Sequence, residues 1–403
     1  MAKGRSGMAN ARDLMRGFPP PPEARVTLAN WRQPPFNRWS FHHVREIMPT
    51  ARIRRGPRVW AFERAIQPVE RIPVPGPGGL PEPFSRTLDA TYTDACVVLH
   101  RGRVVFEYYD RMAEDDTHIL MSVTKSVCAT LAGVLVERGL LDPDAPITRT
   151  VPETKGSVYG TAKVRHLLDM TVGIRFVEDY LDPECDFARY RQAMGWNPVT
   201  PSKGEIADLR SFLVSLRPEG KHGDRYHYVS PNSDMLGWVM ERASGVRFVE
   251  LLAHELWGPL GAEFDADLSL DRLGAPRTAG GLCVTVRDLA RFGQMVLERG
   301  VADGRRVVPG WWIDDIRRNG DARAWAKGSK WLPGARYRSK WYLLPGDRDI
   351  HCAIGIHGQW IYIDPVAAVV IAKFSSDPTP SEDAVNDRHI AAFDAVARSL
   401  GGS

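Results

Sequence analysis

The chain has 403 residues, 43% hydrophobic and 25% charged, an ordinary globular composition for two or three domain-sized units or one large α/β body. Its net charge of +4 is too small for a nucleic-acid surface, and no run of like charges marks a nucleic-acid tail. The longest apolar stretches, Ala129 to Val136 and Val366 to Ala372, fall well short of the roughly 18 residues that a membrane helix needs. The first 30 residues hold Arg, Pro and Asn without an apolar core, so a soluble, non-exported, cytoplasmic protein is expected.

Charge is unevenly placed. Residues 1–60 hold 12 basic and 3 acidic side chains, so the rest of the chain is net negative. A basic arm wrapped over an acidic body is the simplest reading; attachment to an anionic surface is the alternative. Residues 1–85, rich in Pro, Arg and Gly, read as an extended N-terminal arm that closes on the linker-like PVPGPGGLPEP at 73–83.

Regular structure begins near Ala95. Cys96 to His100 and Val104 to Tyr109, joined through Arg101-Gly102, predict a hairpin. Ser122 to Arg138 has helical periodicity and stops at Gly139. Helices follow at Val164 to Met170, Glu205 to Leu216, Asp234 to Ala243 and Val286 to Glu298. Trp360 to Ile363 and Ala367 to Phe374 repeat the strand–turn–strand signal, and a last helix covers Val385 to Leu400. Strands at both ends and helices between them predict an α+β fold: an antiparallel sheet flanked by helices, with an all-helical insertion. The expected division is a sheet domain from 86–150 and 270–403, and a mostly helical domain over 151–269.

Cys96, Cys128, Cys185, Cys283 and Cys352 are widely spaced, odd in number and without C-x-x-C, so free buried thiols are expected rather than disulfides or a zinc site. His254-Glu255 lacks the second His of a zinc-protease motif, and the adjacent His42 and His43 point apart. No metal and no cofactor are expected.

The sharpest local feature is Ser122-Val123-Thr124-Lys125. At i and i+3 the two polar side chains share one helical face. A serine hydroxyl needs a base, and a lysine can serve where burial lowers its pKa. The helix N-terminus adds backbone N–H groups beside a reacting carbonyl. About one S-x-x-K arises by chance in a chain this long, so the capping-serine reading stays open on the motif alone. Downstream, Tyr228 lies in the loop YHYVSPN at 226–232, before a helix. Beside a lysine ammonium its phenol pKa is expected to fall, fitting it to relay a proton to a leaving group.

Ser122-x-x-Lys125, the Tyr228 loop followed by MLGWVMERASG (235–245), and GGLCVTVRDLARFG (280–293) resemble the serine β-lactamase and penicillin-binding-protein superfamily, in its class C, DD-peptidase and esterase branch. ANWRQPPFNRWSFHHVREIMP (29–49), HILMSVTKS (118–126), EDYLDP (178–183) and GIHGQWIYIDP (355–365) are similar to the narrower group of 6-aminohexanoate-dimer (nylon oligomer) hydrolases. The resemblance spans about residues 26 to 395. It implies Ser122 as acylated nucleophile, Lys125 as base, Tyr228 as proton relay, and the N–H groups of Ser122 and Ile356 as oxyanion hole, with Ala353-Ile354-Gly355 as the neighbouring strand. It also implies a scissile-amide contact for Tyr180, and substrate-side positions at Arg191, Ala279 and His357.

Departures bear on substrate. The strand lysine that binds the carboxylate of penicillins is missing, and Ser230 stands where the superfamily usually has Asn. Arg191 and Ala279 occupy places that in the nylon hydrolases hold an Asp and an Asn near the substrate's amino end, so Arg191 would repel an ammonium. Small carboxylic esters, and linear amides of the 6-aminohexanoate type, are the expected substrates. A β-lactamase or DD-peptidase and a turnover-deficient binding protein are the alternatives. The expected partner is a small-molecule ester or amide, with neither nucleic acid nor membrane, and a homodimer is compatible. His357 with Asp364 suggests a Ser-His-Asp set, against which stands the absence of a G-x-S-x-G elbow. Trp331, Trp341 and Trp360 suit either an acyl pocket or the core. Residues 171–200 are long and irregular enough to form a lid over the site.

Overall fold

The computed structural model describes residues 13–199 and 208–402. Its centre is a seven-stranded antiparallel sheet. Strands β1 (Thr93–His100) and β2 (Arg103–Tyr109) form the expected hairpin. The other five come from the C-terminal third: β3 (Arg336–Arg338), β4 (Trp341–Leu343), β5 (His351–Gly355), β6 (Gln359–Asp364) and β7 (Val369–Ser375). Their spatial order is β3-β4-β5-β6-β7-β1-β2, so β1 closes on β7 and the two ends of the chain share one sheet.

Both faces are covered, and the period-two alternation of β1 sorts its side chains between them. Val97 and Leu99 enter the larger core with helices α1 (Val123–Glu137) and α4 (Val286–Leu297). Cys96 and Val98 enter the second core, against Phe393 and Val396 of the C-terminal helix α5 (Asp383–Gly401). Between Val123 and Leu260 the regular elements of the described residues are helical; they include α2 (Asp186–Ala193), Leu209–Ser215 and α3 (Pro231–Ser244). The expected helix at 205–216 appears as Leu209–Ser215, capped by Asp208; its proposed start lies outside the described residues. Helix α3 starts at Pro231 and stops at Gly245, whose φ of 71° is the left-handed cap that glycine accepts without strain.

The described part of the N-terminal arm lies against this body. Trp31, Phe41 and Ile53 are buried in the larger core. Thr50–Ile53 pairs with Ala266–Ser269 in a second, four-stranded sheet completed by Leu282–Val284 and His118–Ile119. All five cysteines are free and buried. No helix among the described residues is long and apolar enough to cross a membrane.

Candidate active site

Ser122 sits where the second sheet hands over to α1. Met121 takes a φ of +45°, a left-handed turn that is rare for a residue with a side chain, and Ser122 follows at the helix N-cap. The backbone of strand β5 runs close by. A Cβ added to Gly355 would stand 3.0 Å from the Ser122 nitrogen and 2.7 Å from the Leu120 oxygen, so only glycine allows this approach.

Lys125, one turn into α1, is 2% exposed. Its Nζ lies 2.8 Å from Ser122 Oγ and donates to the Ala279 carbonyl at 2.6 Å. Burial pulls the ammonium down to about 7; Arg277 adds to this, while Glu178 and Asp234 act against it. Asp234 also fixes the carbonyl that receives the lysine. It accepts the Ala279 N–H at 2.8 Å and is itself neutralised by Arg277, with Tyr190 donating to the same carboxylate. A buried carboxylate needs such a partner set.

Tyr228 faces the same point. Its ring centroid is 5.1 Å from Lys125 Nζ, and its hydroxyl is hydrogen-bonded to Ser122. The sequence-based expectation of a lowered phenol pKa is overturned here. Burial, with the neighbouring Tyr342 and the Glu178 carboxylate, pushes Tyr228 well above its ordinary value, and it stays a neutral phenol. Arg277 and the Ser122 contact only partly oppose this. The reason is that burial, which penalises the charged phenolate, outweighs the positive charge nearby.

These groups open into a cavity of about 430 Å³ lined by Ser122, Tyr180, Tyr226, Tyr228, Tyr342, Trp325, Trp331, Gly355 and Ile356, with Lys330, Asp383 and Asn386 at its exposed side. Of the tryptophans weighed from sequence, Trp331 lines this cavity, whereas Trp341 and Trp360 are fully buried core residues. Tyr180 lines the cavity and donates to Glu178 Oε1 at 2.9 Å.

Glu178 is the residue that sequence reading passed over. It stands two positions before Tyr180 in a segment already singled out, but a lone glutamate in a loop carries no signal. In the structure it lines the cavity and accepts both the Ser230 N–H and the Ser230 hydroxyl at 2.6 Å. That explains the departure at position 230: the serine anchors Glu178 beside the Ser122–Lys125–Tyr228 cluster.

Three expected substrate contacts are corrected. His357 is buried outside the cavity lining, its Nδ1 donating to the Asp377 carbonyl at 2.7 Å and its ring set against Phe41. Burial lowers it to about 4. Its φ of +61° turns the chain just after β5, which draws the ring into the interior. Asp364 is instead paired with Arg348 at 2.6 Å, so no Ser-His-Asp set forms. The Ala279 side chain is also buried away from the cavity, and only its carbonyl reaches the site, through Lys125. Arg191 stands behind Tyr180, donating to that residue's carbonyl at 3.3 Å, and does not line the cavity. Among the described residues no group of His, Cys, Asp and Glu is arranged to hold a metal ion.

The chain is similar to known proteins in sequence and in fold. Residues 86–395 match the Beta-lactamase family. The chain is 39% identical, over 358 residues, to the 6-aminohexanoate-dimer hydrolase of Paenarthrobacter ureafaciens, covering 88% of this chain and 89% of that one. It is similar in structure to a candidate 6-aminohexanoate-dimer hydrolase from Bacillus anthracis (TM-score 0.87, 25% identity, 95% of this chain and 99% of that one). A family VIII carboxylesterase shares the fold at a TM-score of 0.58 and 16% identity, with 77% of this chain and 97% of that one covered. The chain is a hydrolase of the Beta-lactamase family, homologous to the 6-aminohexanoate-dimer hydrolases.

Proposed function

We propose that the protein is a serine hydrolase that works through an acyl-enzyme on Ser122 and cleaves small carboxylic esters and linear amides. The observation that carries this reading is the buried Lys125 amine, 2.8 Å from the Ser122 hydroxyl and held near pKa 7. A base poised at the working pH is what activating a serine requires.

The Ser122 hydroxyl proton passes to the neutral Lys125 amine as Oγ attacks the carbonyl carbon. The N–H groups of Ser122 and Ile356 receive the oxyanion, in the gap that Gly355 leaves open. Collapse breaks the bond to the leaving group, which takes a proton from the neutral Tyr228 phenol. Tyr228 recovers its proton from Lys125. Water then repeats the sequence on the acyl-enzyme. Glu178 and Ser230 hold Tyr180 against the cavity, where aromatic rings suit an aliphatic chain.

An active nucleophile takes a fluorophosphonate. The protein is expected to gain one phosphonyl group by mass spectrometry, located on the peptide containing Ser122 and absent in Ser122→Ala. Intact protein after prolonged exposure would favour the binding-protein alternative. Gly355→Ala is expected to lower kcat for a p-nitrophenyl ester on the order of a hundredfold, because its Cβ must push β5 away from the Ser122 nitrogen. Steady-state kinetics checks this, and unchanged turnover would remove β5 from the oxyanion site.

A further inference from the structure

Glu178 reaches the cavity wall from the loop before α2 and is gripped at three points. Its carboxylate accepts the Ser230 N–H and the Ser230 hydroxyl, both at 2.6 Å, and the Tyr180 hydroxyl at 2.9 Å. Ser230 is the N-cap of α3, two residues beyond Tyr228, so one turn of chain carries the phenol and holds the carboxylate. These three donors are neutral. They fix where the carboxylate stands without cancelling its charge.

That charge has a target. When Lys125 takes the Ser122 proton it becomes an ammonium in a place only 2% exposed, where burial penalises charge. Its near neighbours offer dipoles: the Ala279 carbonyl at 2.6 Å, and the Tyr228 ring with its centroid 5.1 Å away. Two carboxylates reach Lys125 through space, Glu178 more strongly than Asp234. Asp234 is already ion-paired with Arg277 and accepts the Ala279 N–H. Glu178 is therefore the charge left to oppose burial at the lysine. A negative charge set in place beforehand costs no reorganisation at the moment the ammonium forms.

The other ionisable groups that Glu178 influences are kept towards their neutral forms. Burial pushes up the phenols of Tyr180, Tyr190, Tyr228, Tyr337 and Tyr342. It pushes down the His227 imidazole and the Lys340 amine, and Lys125 adds to the effect on Lys340. Arg277, the remaining cation, is engaged by Asp234. Lys125 is the group among them that gains a proton in the reaction.

We propose that Glu178 is a positioning residue of the catalytic cycle: its carboxylate, fixed by Ser230, stabilises the ammonium that forms on Lys125 as the serine oxygen attacks. This rests on the serine hydrolase reading and adds to it the charge that makes the buried lysine an effective base.

Glu178→Gln keeps the shape of the side chain and an oxygen for Ser230, and removes the charge. For a neutral p-nitrophenyl ester, kcat/KM on the plateau above the lysine limb is expected to fall roughly tenfold, because the base is weaker. The limb itself, near 7 in the wild type, is expected to move to lower pH by about one unit, since losing an anion favours the neutral amine. Glu178→Asp restores the charge and brings the limb back towards its wild-type position. Tyr180→Phe removes a hydrogen bond to Glu178 but no charge, so its limb stays in place whatever its rate. A uniform loss of rate in Glu178→Gln with an unmoved limb makes Glu178 a brace for Tyr180 and overturns the proposal. NMR titration of protein carrying lysine isotope-labelled at Cε gives a readout independent of turnover, with Lys125→Met and Lys340→Met assigning the two buried amines. A Lys125 midpoint lowered in Glu178→Gln supports the proposal, and an unchanged midpoint overturns it. If no hydrolysis depends on Ser122, the serine hydrolase reading fails by itself, and the titration still decides whether Glu178 supports a charged Lys125.

Discussion

Ser122→Ala is expected to lower hydrolysis of p-nitrophenyl butyrate by about a thousandfold or more in kcat, with the fold intact. Removing the atom that forms the acyl-enzyme leaves no substitute, because the other hydroxyl at this point, Tyr228, is held as a neutral phenol by burial and by Glu178. The side chain itself contributes little to packing. Ser122 is a half-buried N-cap whose hydroxyl makes no capping hydrogen bond, so truncation costs the helix little. Activity and thermal midpoint measured side by side make the separation. Equal rates in wild type and variant would take Ser122 out of the chemistry and move the binding-protein reading ahead.

The second large effect is on pH. Lys125 must be neutral to receive the serine proton, and burial brings it to about 7. So kcat/KM for a neutral ester is expected to fall tenfold per unit below pH 7, and to level above it. Tyr228, raised well above its usual value, stays protonated through this range and adds no descending limb at mildly alkaline pH. A flat profile, or an inflection near 10 where an ordinary lysine titrates, would overturn the role of Lys125. The same shift acts on stability. The folded pKa lies below the unfolded value, so between about 7 and 10.5 the unfolded chain binds more protons at this site. Its contribution to stability therefore rises with pH across that window and is flat below it. Lys125→Met is expected to lose activity yet raise the thermal midpoint at pH 7, since a buried amine is replaced by an apolar chain of similar length. Differential scanning calorimetry checks the sign.

The fold and the centre of the candidate site were largely legible in the residue order. The hairpin of β1 and β2, helix α1 and its stop at Gly139, and the strand pair β6 and β7 follow from local periodicity and turn chemistry. Ser122 and Lys125 are neighbours on one turn of one helix, so their contact is set by the 3.6-residue period alone. Tyr228 was legible through its loop and the blocks around it, a pattern of resemblance rather than a local rule.

What the sequence could not decide depends on groups brought together from far apart. The protonation of Lys125 and Tyr228 is decided by burial and by Glu178, 50 or more positions away from each of them in the chain. Glu178 is an unremarkable loop residue until Ser230 binds it. His357 looked chemical because of its neighbours in the chain, and the left-handed turn after β5 put its ring in the interior instead. Arg191 was visible as an unusual charge, but its place behind Tyr180 is set only by the tertiary packing. Residue order by itself determined the elements and the serine–lysine pair, because those depend on spacing within one helix or strand. The tertiary structure decided charge states and cavity walls, because burial and Coulomb interactions act through space, whatever the distance along the chain.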